Sequence, residues 1–327
     1  MQAMVLRQAG VPLRLEGRRL PEPDRGEVRL RVQACAVCRT DLHLLDGDLD
    51  LPLLPIVPGH EIVGVVDKVG SGTSLAVGAR VGVTWLGHTC GRCRYCDVGQ
   101  ENLCNEPVFT GHGRDGGFAT HVLADAAFCV ALPQAPAAVS LAPLLCAGAI
   151  AWRALRLCGD DVRHLGLFGF GAAAHLLTQV AVRQGREVHA FTRPGDSKGQ
   201  RFARSLGAAW AGDSDEPPPA PLDAAIIFAP VGSLVPLALK SVRKGGRVVC
   251  AGIHMSDLPA MPYRLLWEER QVLSVANLTR DDALQLLQFH ARHPIQAVTH
   301  TYPLARANQA LADLRDGRFE GVAVLVP

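Results

Sequence analysis

Four cysteines fall within fifteen residues, in the spacing Cys90-x2-Cys93-x2-Cys96-x7-Cys104, and no other local feature constrains the chain as strongly. Thiolates at this spacing suit the tetrahedral geometry of a zinc ion, and the glycines beside them permit tight turns. Four protein ligands leave no coordination position open, so the predicted site is structural. The alternative, an exposed loop of four unligated thiols, gives no reason for the spacing.

The overall composition narrows the class of protein. A length of 327 residues and a hydrophobic content of 48% favour two globular domains. The formal net charge of only +2 argues against a nucleic-acid-binding or membrane-surface protein. The first residues, Met1-Gln-Ala-Met-Val-Leu-Arg7, lack the apolar run of a signal peptide. We therefore expect a soluble, cytoplasmic protein that binds neither membranes nor nucleic acids. In that compartment, ten cysteines indicate metal binding rather than disulfides.

A second set of potential metal ligands begins at Cys38. The segment Cys38-Arg-Thr-Asp-Leu-His43 combines a thiol with the hydroxyl of Thr40 and with the imidazole of His43, which could pass on the proton of that hydroxyl. Cys35 is a rival thiol three residues away, and we interpret it as a small buried residue. Taken alone, this segment would be compatible with chance.

Further ligands follow in Gly59-His60-Glu61 and, far downstream, at Cys146. Two thiolates and one imidazole make a three-ligand zinc site with its fourth position open, which is typical of a catalytic zinc. Cys146 by itself would be interpreted as core packing, and it becomes a candidate because Cys38 and His60 lack a third protein ligand. Glu61 either forms an ordinary ion pair or approaches the zinc during ligand exchange.

Strand-like segments dominate the chain up to about residue 130. Val28, Leu30 and Val32 alternate with arginines, which predicts a half-buried strand, and Phe118–Leu123 is another candidate. The small-residue-rich stretch Ser140–Leu157 predicts one buried helix. These patterns indicate a mostly β first domain that ends near residue 147.

A strand–turn–helix–strand pattern then begins at His164–Phe168. The strand leads into Gly169-x-Gly171-x-x-Ala174, a helix, and the strand Glu187–Phe191. This order predicts the first βαβ unit of a dinucleotide-binding fold, in which backbone amides at a helix N-terminus hold the pyrophosphate. Strands and helices continue to alternate, so we expect an α/β protein with a Rossmann domain and its doubly wound parallel sheet.

The end of the second strand carries information about the cofactor. An NAD enzyme places an acidic residue there for the ribose 2′-hydroxyl, whereas this chain has Thr192-Arg193. No carboxylate would repel a 2′-phosphate, and Arg193 could pair with it, assisted by Lys198. This pattern favours NADP over NAD. The alternative is that Arg193 stacks on the adenine or faces solvent.

Together these motifs resemble the zinc-dependent alcohol dehydrogenases of the medium-chain dehydrogenase/reductase superfamily, along nearly the whole chain. The resemblance rests on the following segments: Cys38-x-Thr-Asp-x-His43, Gly59-His60-Glu61, the four-cysteine segment 90–104, Cys146-Ala-Gly148 and Gly169-x-Gly171-x-x-Ala174. It implies a GroES-like catalytic domain built from residues 1–147 and 293–327, with the Rossmann cofactor-binding domain, residues 148–292, inserted between them. It also implies a homodimer or homotetramer.

The resemblance assigns roles to the candidate residues. Cys38, His60 and Cys146 match the catalytic zinc ligands of the family. Thr40 and His43 match its proton relay. Glu61 matches the carboxylate behind the zinc. Trp85 falls where the family often has an aromatic residue that lines the substrate pocket. Together with Leu44 and Leu45, which follow His43, it suggests that this lining is apolar.

The implied activity is reversible hydride transfer between NAD(P) and a primary or secondary alcohol, aliphatic or aromatic, with zinc polarising the substrate oxygen. The expected cofactors are two zinc ions per chain, one catalytic and one structural, and NADP or NAD. Cinnamyl-type or polyol chemistry on the same scaffold is an alternative, as is a zinc-free quinone or enoyl reductase. A non-catalytic scaffold protein would not need the complete ligand set together with Thr40 and His43.

Overall fold

The computed structural model describes residues 1–50 and 52–327. Its strands are β1 (Gln2–Val5), β2 (Arg14–Gly17), β3 (Glu27–Ala36), β4 (Glu61–Val69), β5 (Arg80–Val83), β6 (Leu86–His88), β7 (Val108–Phe109), β8 (His121–Asp125), β9 (Cys129–Ala131), β10 (His164–Phe168), β11 (Glu187–Thr192), β12 (Trp210–Asp213), β13 (Leu222–Ile227), β14 (Val242–Cys250), β15 (Gln271–Ser274), β16 (Thr299–Pro303) and β17 (Val322–Val326). Its α-helices are α1 (Arg39–Asp46), α2 (Arg94–Asp97), α3 (Ala138–Leu141), α4 (Ala147–Cys158), α5 (Ala172–Arg183), α6 (Ser197–Ser205), α7 (Leu234–Ser241), α8 (Arg280–Arg292) and α9 (Ala307–Arg315).

The first compact unit comprises residues 1–147, 277–288 and 296–327. Its main sheet has the strand order β16-β17-β3-β4-β5-β9, and β8 also pairs with β3. Val28, Leu30 and Val32 are buried in the core of this unit, as the alternation in β3 predicts, but Arg29 is buried too and donates from Nε to Asp67 at 2.9 Å. The C-terminal strand β17 lies beside β3, with Val324 opposite Ala36.

The second compact unit comprises residues 148–276 and 289–295. Its sheet has the strand order β12-β11-β10-β13-β14-β15, and every pairing in that order is parallel. Numbered within the unit, this is the strand order 3-2-1-4-5-6 of a doubly wound sheet. Successive strands are added on one side of β10 as far as β12 and on its other side from β13 onward, so the switch point lies between β10 and β13. The predicted α/β class and Rossmann topology are confirmed.

Two local predictions need correction. The predicted helix Ser140–Leu157 is interrupted: a 3₁₀ turn over Ala142–Leu145 follows α3, and Cys146, with φ −131° and ψ −70°, separates that turn from α4. Pro143 lies in this turn, where it cannot donate a helical backbone hydrogen bond. The strand predicted at Phe118–Leu123 begins later, at β8, because the Phe118 backbone bonds to Pro58 and Met4 instead.

The predicted domain limits of 147/148 and 292/293 stay predictions. In the structure residues 277–288, predicted to belong to the Rossmann domain, pack with the first unit, and the chain crosses between units again near residues 289 and 295.

Across residues 1–50 and 52–327, no single helix is long and apolar enough to cross a membrane, although Ala138–Leu145 and Ala147–Cys158 meet that requirement together as a bent pair.

Candidate functional site

The four-cysteine segment folds into a compact thiol cluster in the first unit. The Sγ atoms of Cys90, Cys93, Cys96 and Cys104 all lie within 4.8 Å of one another. The Cys90–Cys104 and Cys93–Cys96 pairs are 3.5 and 3.6 Å apart. A disulfide would require about 2.05 Å, whereas sulfur atoms bonded tetrahedrally to zinc at about 2.3 Å lie about 3.8 Å apart. The spacing fits a zinc ion bound by four thiolates.

The backbone around this cluster favours thiolates unevenly. Hydrogen bonds from the backbone of Cys96 and Asn105 lower the pKa of Cys93 to about 6, so this thiol ionises readily near neutral pH. Burial raises the pKa of Cys104 to about 11, although backbone N–H groups of Cys90 and Glu106 donate to its sulfur. A cation among the four sulfurs would favour the ionised form of every one of them.

An ion pair that sequence reasoning missed attaches this segment to helix α8. The guanidinium of Arg280 donates to Glu101 through Nε at 3.0 Å and through Nη2 at 2.7 Å. Its Nη1 donates to the carbonyl of Ala127, and the guanidinium carbon lies 4.4 Å from the ring centre of Phe128. Glu101 is buried, so Arg280 compensates a carboxylate that lies inside the four-cysteine segment.

The second predicted ligand set also comes together within the first unit. Potential ligand atoms of Cys38, His60, Glu61 and Cys146 all lie within 4.8 Å of one another. Cys38 is the residue before α1, while His60 and Glu61 stand at the start of β4, and Cys146 occupies the break before α4. Cys35 lies outside this group; it is fully buried, with its Sγ 3.7 Å from a backbone carbonyl.

Two buried atoms at this cluster suit a metal ion. Among the described residues, Nε2 of His60 and Oε2 of Glu61 are shielded from solvent and have no hydrogen-bond partner, and Nδ1 of His60, which lies near Asp41, makes no hydrogen bond either. Buried polar atoms are normally satisfied, and leaving one unsatisfied costs about 1–3 kcal/mol. A dication bound by two sulfurs and a ring nitrogen would use Nε2 as a ligand and give the carboxylate of Glu61 a charge partner.

The carboxylate of Asp41 contacts the segments that carry two of the potential ligands, Cys38 and His60. Its Oδ2 accepts from the backbone N–H of Cys38 at 2.8 Å, and its Oδ1 accepts from that of Gly59 at 3.2 Å. Oδ1 also lies 3.5 Å from Nδ1 of His60. Such outer-shell carboxylates fix the tautomer and orientation of a metal-binding imidazole. The sequence offered one signal for Asp41: it stands three residues after Cys38, where an acidic side chain can cap a helix N-terminus.

Proton affinities within the cluster are strongly altered. A hydrogen bond shared with Cys146 lowers the pKa of Cys38 and raises that of Cys146, so the two sulfurs compete for one proton. Burial lowers the pKa of His60, but the carboxylate of Asp41 and the sulfur of Cys38 together raise it further, so the net shift is upward. Burial raises the pKa of Glu61. Such a cluster holds protons that a divalent cation would displace on binding.

Helix α1 brings the two predicted relay residues to this site. Thr40 is buried, with its Oγ1 3.6 Å from the sulfur of Cys38. His43 lies three residues further along α1, on the same side of the helix, and its Nδ1 is 2.8 Å from Oδ2 of Asp48. The hydroxyl therefore adjoins a metal ligand, and the imidazole connects to a carboxylate that is half exposed.

Aromatic rings form a wall next to His60. The ring of Trp85 stands edge-on to that imidazole, with centroids 4.8 Å apart. Phe109 stacks on the ring of Trp85 at 5.1 Å, and His112 lies 5.7 Å from it. The sequence predicted Trp85 but not its two neighbours, because they come from a separate segment, Phe109 from β7 and His112 from the turn that follows.

One predicted lining residue must be corrected. Leu44 is completely buried in the core, so it cannot line a substrate pocket. Leu45 is partly buried and packs against the core of the first unit. Adjacent positions on a helix point in different directions, which explains why only one of the two can approach a pocket.

The glycine-rich turn of the second unit has the geometry of a phosphate-binding loop. Gly169 has φ +89°, and a Cβ atom at this position would lie 2.8 Å from the backbone nitrogen of Ala229. Gly171 immediately precedes α5, and a Cβ built on it would meet no atom within 4 Å. Ala174 is fully buried inside α5. The open space before the helix N-terminus fits a pyrophosphate group.

The predicted specificity residues differ in their surroundings. The hydroxyl of Thr192 lies 3.3 Å from the carbonyl of Gly212 and accepts from Nε2 of Gln200 at 3.2 Å, so it is directed into the protein. Arg193 is exposed directly after β11, and Lys198 is exposed in the first turn of α6. Of these side chains, the two cations are the ones accessible to a ligand.

A family model and the sequences of known proteins both relate this chain to alcohol dehydrogenases. Residues 24–134 match the family described as the alcohol dehydrogenase GroES-like domain. The probable alcohol dehydrogenase AdhA of Mycobacterium tuberculosis is 46% identical over 323 residues, covering 96% of this chain and 93% of the relative. The chain belongs to the zinc alcohol dehydrogenases of the medium-chain dehydrogenase/reductase superfamily.

Solved structures support this membership. A cobalt- and zinc-bound thermostable alcohol dehydrogenase from Pyrobaculum aerophilum superposes with a TM-score of 0.91 at 26% identity, covering 100% of this chain and 99% of the other. A cinnamyl alcohol dehydrogenase from Sorghum bicolor gives a TM-score of 0.90 at 26% identity, covering 99% and 97%. As an alcohol dehydrogenase, the protein is an oxidoreductase that acts on a small-molecule alcohol, and the predicted family and enzyme class are confirmed.

Proposed function

We propose that this alcohol dehydrogenase interconverts apolar alcohols with their aldehydes or ketones at a zinc ion bound by Cys38, His60 and Cys146, with NADP as its preferred cofactor. The convergence of these ligand atoms with a buried, unpartnered nitrogen of His60 carries the proposal. When bound, zinc supplies a Lewis acid for the alcohol oxygen, and the nicotinamide supplies the hydride acceptor.

The remaining side chains of the site handle protons and charge. The hydroxyl oxygen of Thr40 accepts the alcohol proton as its own hydroxyl proton leaves towards His43, whose Nδ1 faces Asp48. Asp41 holds His60 in its tautomer. Glu61 balances the charge of the metal site from the buried side. The four-cysteine segment holds a second, structural zinc, since its four thiols leave no position for substrate.

The cofactor preference rests on charge at the end of β11. The turn of Gly169 and Gly171 leads into α5, whose N-terminal amides suit the pyrophosphate. Arg193 and Lys198 are exposed cations near the position of the acidic residue of NAD enzymes, so they favour a 2′-phosphate.

Aromatic alcohols of the cinnamyl type form a second candidate substrate class. The observation in its favour is the wall of Trp85, Phe109 and His112 next to His60, because stacked rings offer a planar partner for an aromatic substrate. Polyols would meet few polar groups on this wall.

The location in the cytoplasm and the assembly as a homodimer or homotetramer are predictions from sequence. Light scattering on the purified protein would decide the assembly.

A reductase assay tests this proposal directly. Hexanal, benzaldehyde and cinnamaldehyde are each reduced with NADPH or with NADH while nicotinamide absorbance is followed. We expect turnover with zinc-loaded enzyme, higher kcat/KM with NADPH, and higher kcat/KM for the aromatic aldehydes if they stack on Trp85. The absence of turnover with all three aldehydes in zinc-loaded protein would contradict the proposed substrates.

A pair of variants tests the cofactor assignment. Arg193→Asp should reverse the preference towards NADH by about tenfold or more, because one charged hydrogen bond contributes about 1.5–3 kcal/mol. Arg201→Ala, which removes another exposed arginine from the same unit, serves as the control. An unchanged NADPH/NADH ratio in Arg193→Asp would show that this arginine does not contact the cofactor phosphate.

A further inference from the structure

A third cluster of metal-binding side chains lies in the second unit, away from the glycine-rich turn. Potential ligand atoms of His164, Glu187 and His189 all lie within 4.8 Å of one another, and Nδ1 of His164 is 3.3 Å from Oε2 of Glu187. Neither the proposed dehydrogenase chemistry nor the structural zinc uses any of these residues.

The parallel register of the sheet creates this cluster. His164 opens β10 directly opposite Glu187, the first residue of β11, and His189 follows two positions later, opposite Gly166. Side chains two positions apart on a strand share a face. Gly166 has no side chain, and a Cβ atom there would lie 2.5 Å from a methyl carbon of Leu222, so apolar groups border the cluster on that side. The cluster stands where both strands begin, whereas the glycine-rich turn follows the end of β10.

The state of His189 points to a ligand. Its side chain is 2% exposed, and neither ring nitrogen has a hydrogen-bond partner among the described residues. The ring of His189 packs near two other rings, those of Trp210 and His164, with centroids at 6.3 and 5.7 Å. Leaving buried polar nitrogens unsatisfied is costly, so an imidazole in this position calls for a partner.

The charge environment suits a cation rather than an anion. The imidazoles of His164 and His189 each offer a nitrogen lone pair in their neutral form. Glu187 supplies the negative charge, and its side chain is 56% exposed, which leaves a path from solvent. Asp223 is not available as a further ligand, because it accepts from Arg243 and from the backbone of residues 163 and 164.

We propose that His164, Glu187 and His189 bind a third divalent cation of the zinc type, which links β10 to β11 at the edge of the sheet where both strands begin. Two imidazoles and one carboxylate are a nitrogen–oxygen ligand set favoured by zinc and its neighbours in the first transition series. Bonds of about 2.1 Å separate tetrahedral ligand atoms by about 3.4 Å, so the side chains need to close by no more than about 1.4 Å. Water would complete the coordination.

Zinc titration tests the site in the full-length enzyme. Protein whose two cysteine-containing sites are filled is dialysed and titrated with ZnCl₂ by calorimetry, and bound zinc is counted by native mass spectrometry. We expect one further zinc per chain in the wild type, and a metal-dependent rise in thermal melting temperature, because the ion binds the folded state. A wild type that takes up no further zinc would overturn the proposal, with an ordered water as the occupant of the site.

Matched variants locate the extra ion. Glu187→Gln changes an exposed side chain and should weaken the additional binding at least tenfold, while His189→Ala should abolish it. His300→Ala removes an exposed histidine from the first unit and should leave the additional binding unchanged. Persistence of the extra zinc in Glu187→Gln and in His189→Ala would overturn the proposal. Aldehyde turnover is recorded in parallel, so failure of the third site is distinguishable from failure of the dehydrogenase assignment.

Discussion

At the scale of single residues, the catalytic cluster depends on side chains that do not themselves bind metal. Asp41 contacts three parts of the site: the backbone of Cys38, the backbone of Gly59 and the ring of His60. One carboxylate therefore fixes two ligands that are 22 positions apart in the chain. Its loss should affect the affinity for the metal more than the fold.

Asp41→Asn tests this role. The amide keeps the shape of the side chain but carries no charge, so we expect zinc affinity at the catalytic site to fall about 10- to 100-fold, as for other outer-shell changes. Competition with a chromophoric chelator measures the affinity. Asp46→Asn, which removes an exposed partner of Arg315, should leave it unchanged. Equal zinc retention in both variants would remove Asp41 from this role.

In the proposed mechanism, proton transfer depends on Thr40. Thr40→Ala removes the hydroxyl beside Cys38, and we expect kcat to fall by about 10²- to 10⁴-fold because a positioned proton carrier is lost. Thr40→Ser retains a hydroxyl and should keep most of the activity. Zinc content, measured on both variants, should equal that of the wild type. Near-normal turnover in Thr40→Ala would rule out this residue as the proton carrier.

At the scale of elements, the four-cysteine segment is held by more than its metal. Arg280, on α8, binds Glu101 inside the segment and covers the ring of Phe128. The sequence predicted the metal ligands because they are local, but it gave no sign of this contact between residues 179 positions apart.

Arg280→Ala should loosen the segment. It removes the charged partner of the buried carboxylate of Glu101, which keeps only the backbone N–H of residue 280 from this position, and we expect a cost of about 1–3 kcal/mol of local stability. Hydrogen exchange of residues 90–106 measures the effect. Arg92→Ala breaks a pair in the same segment that is largely exposed, Arg92–Glu106, and should change the exchange little. Identical exchange in the two variants would contradict an anchoring role for Arg280.

Helix α5 contains a buried histidine with a consequence for acid stability. Burial lowers the pKa of His175 to about 4. The unfolded chain binds a proton at about pH 6.5 and the folded chain does not, so stability present above that pH is lost as pH falls towards 4.

The variant His175→Gln tests this expectation. The wild type should lose on the order of 2 kcal/mol between pH 7 and pH 5 through this residue, and the variant should lack that contribution. Urea unfolding at both values gives the comparison, with His300→Ala as the control. Parallel pH dependence in the wild type and in His175→Gln would contradict this assignment.

Helix α4 shows where local pattern fails. The sequence between Ser140 and Leu157 is apolar and small-residue-rich throughout, so it predicts one continuous helix. The structure interrupts it at Cys146, which leaves this cysteine in a non-helical conformation among the other ligands. Periodicity reports which residues are buried, but a functional break within a buried run has no periodic signature.

At the scale of the whole molecule, what could be predicted divides along sequence distance. The four-cysteine cluster, the glycine-rich turn and the βαβ order were recognisable because each is encoded within some 30 residues. The Asp41–His60 contact and the stacking of Phe109 on Trp85 join segments that become neighbours only in the complete fold, and the His164–Glu187–His189 cluster depends on the register between β10 and β11. Motifs specify neither, so these contacts could not be predicted from them.

The pairing of β17 with β3 has a consequence for the order in which parts of the chain fold during synthesis. Val324 and Leu325 lie opposite Ala36 and Cys35, and the carbonyl of Ala323 accepts from the N–H of Val37, next to Cys38. A ribosome delivers β17 long after the four-cysteine segment has emerged complete. The nascent chain can therefore load a zinc ion at that segment during translation, whereas β3, which leads into Cys38, gains this neighbour only once β17 has been made.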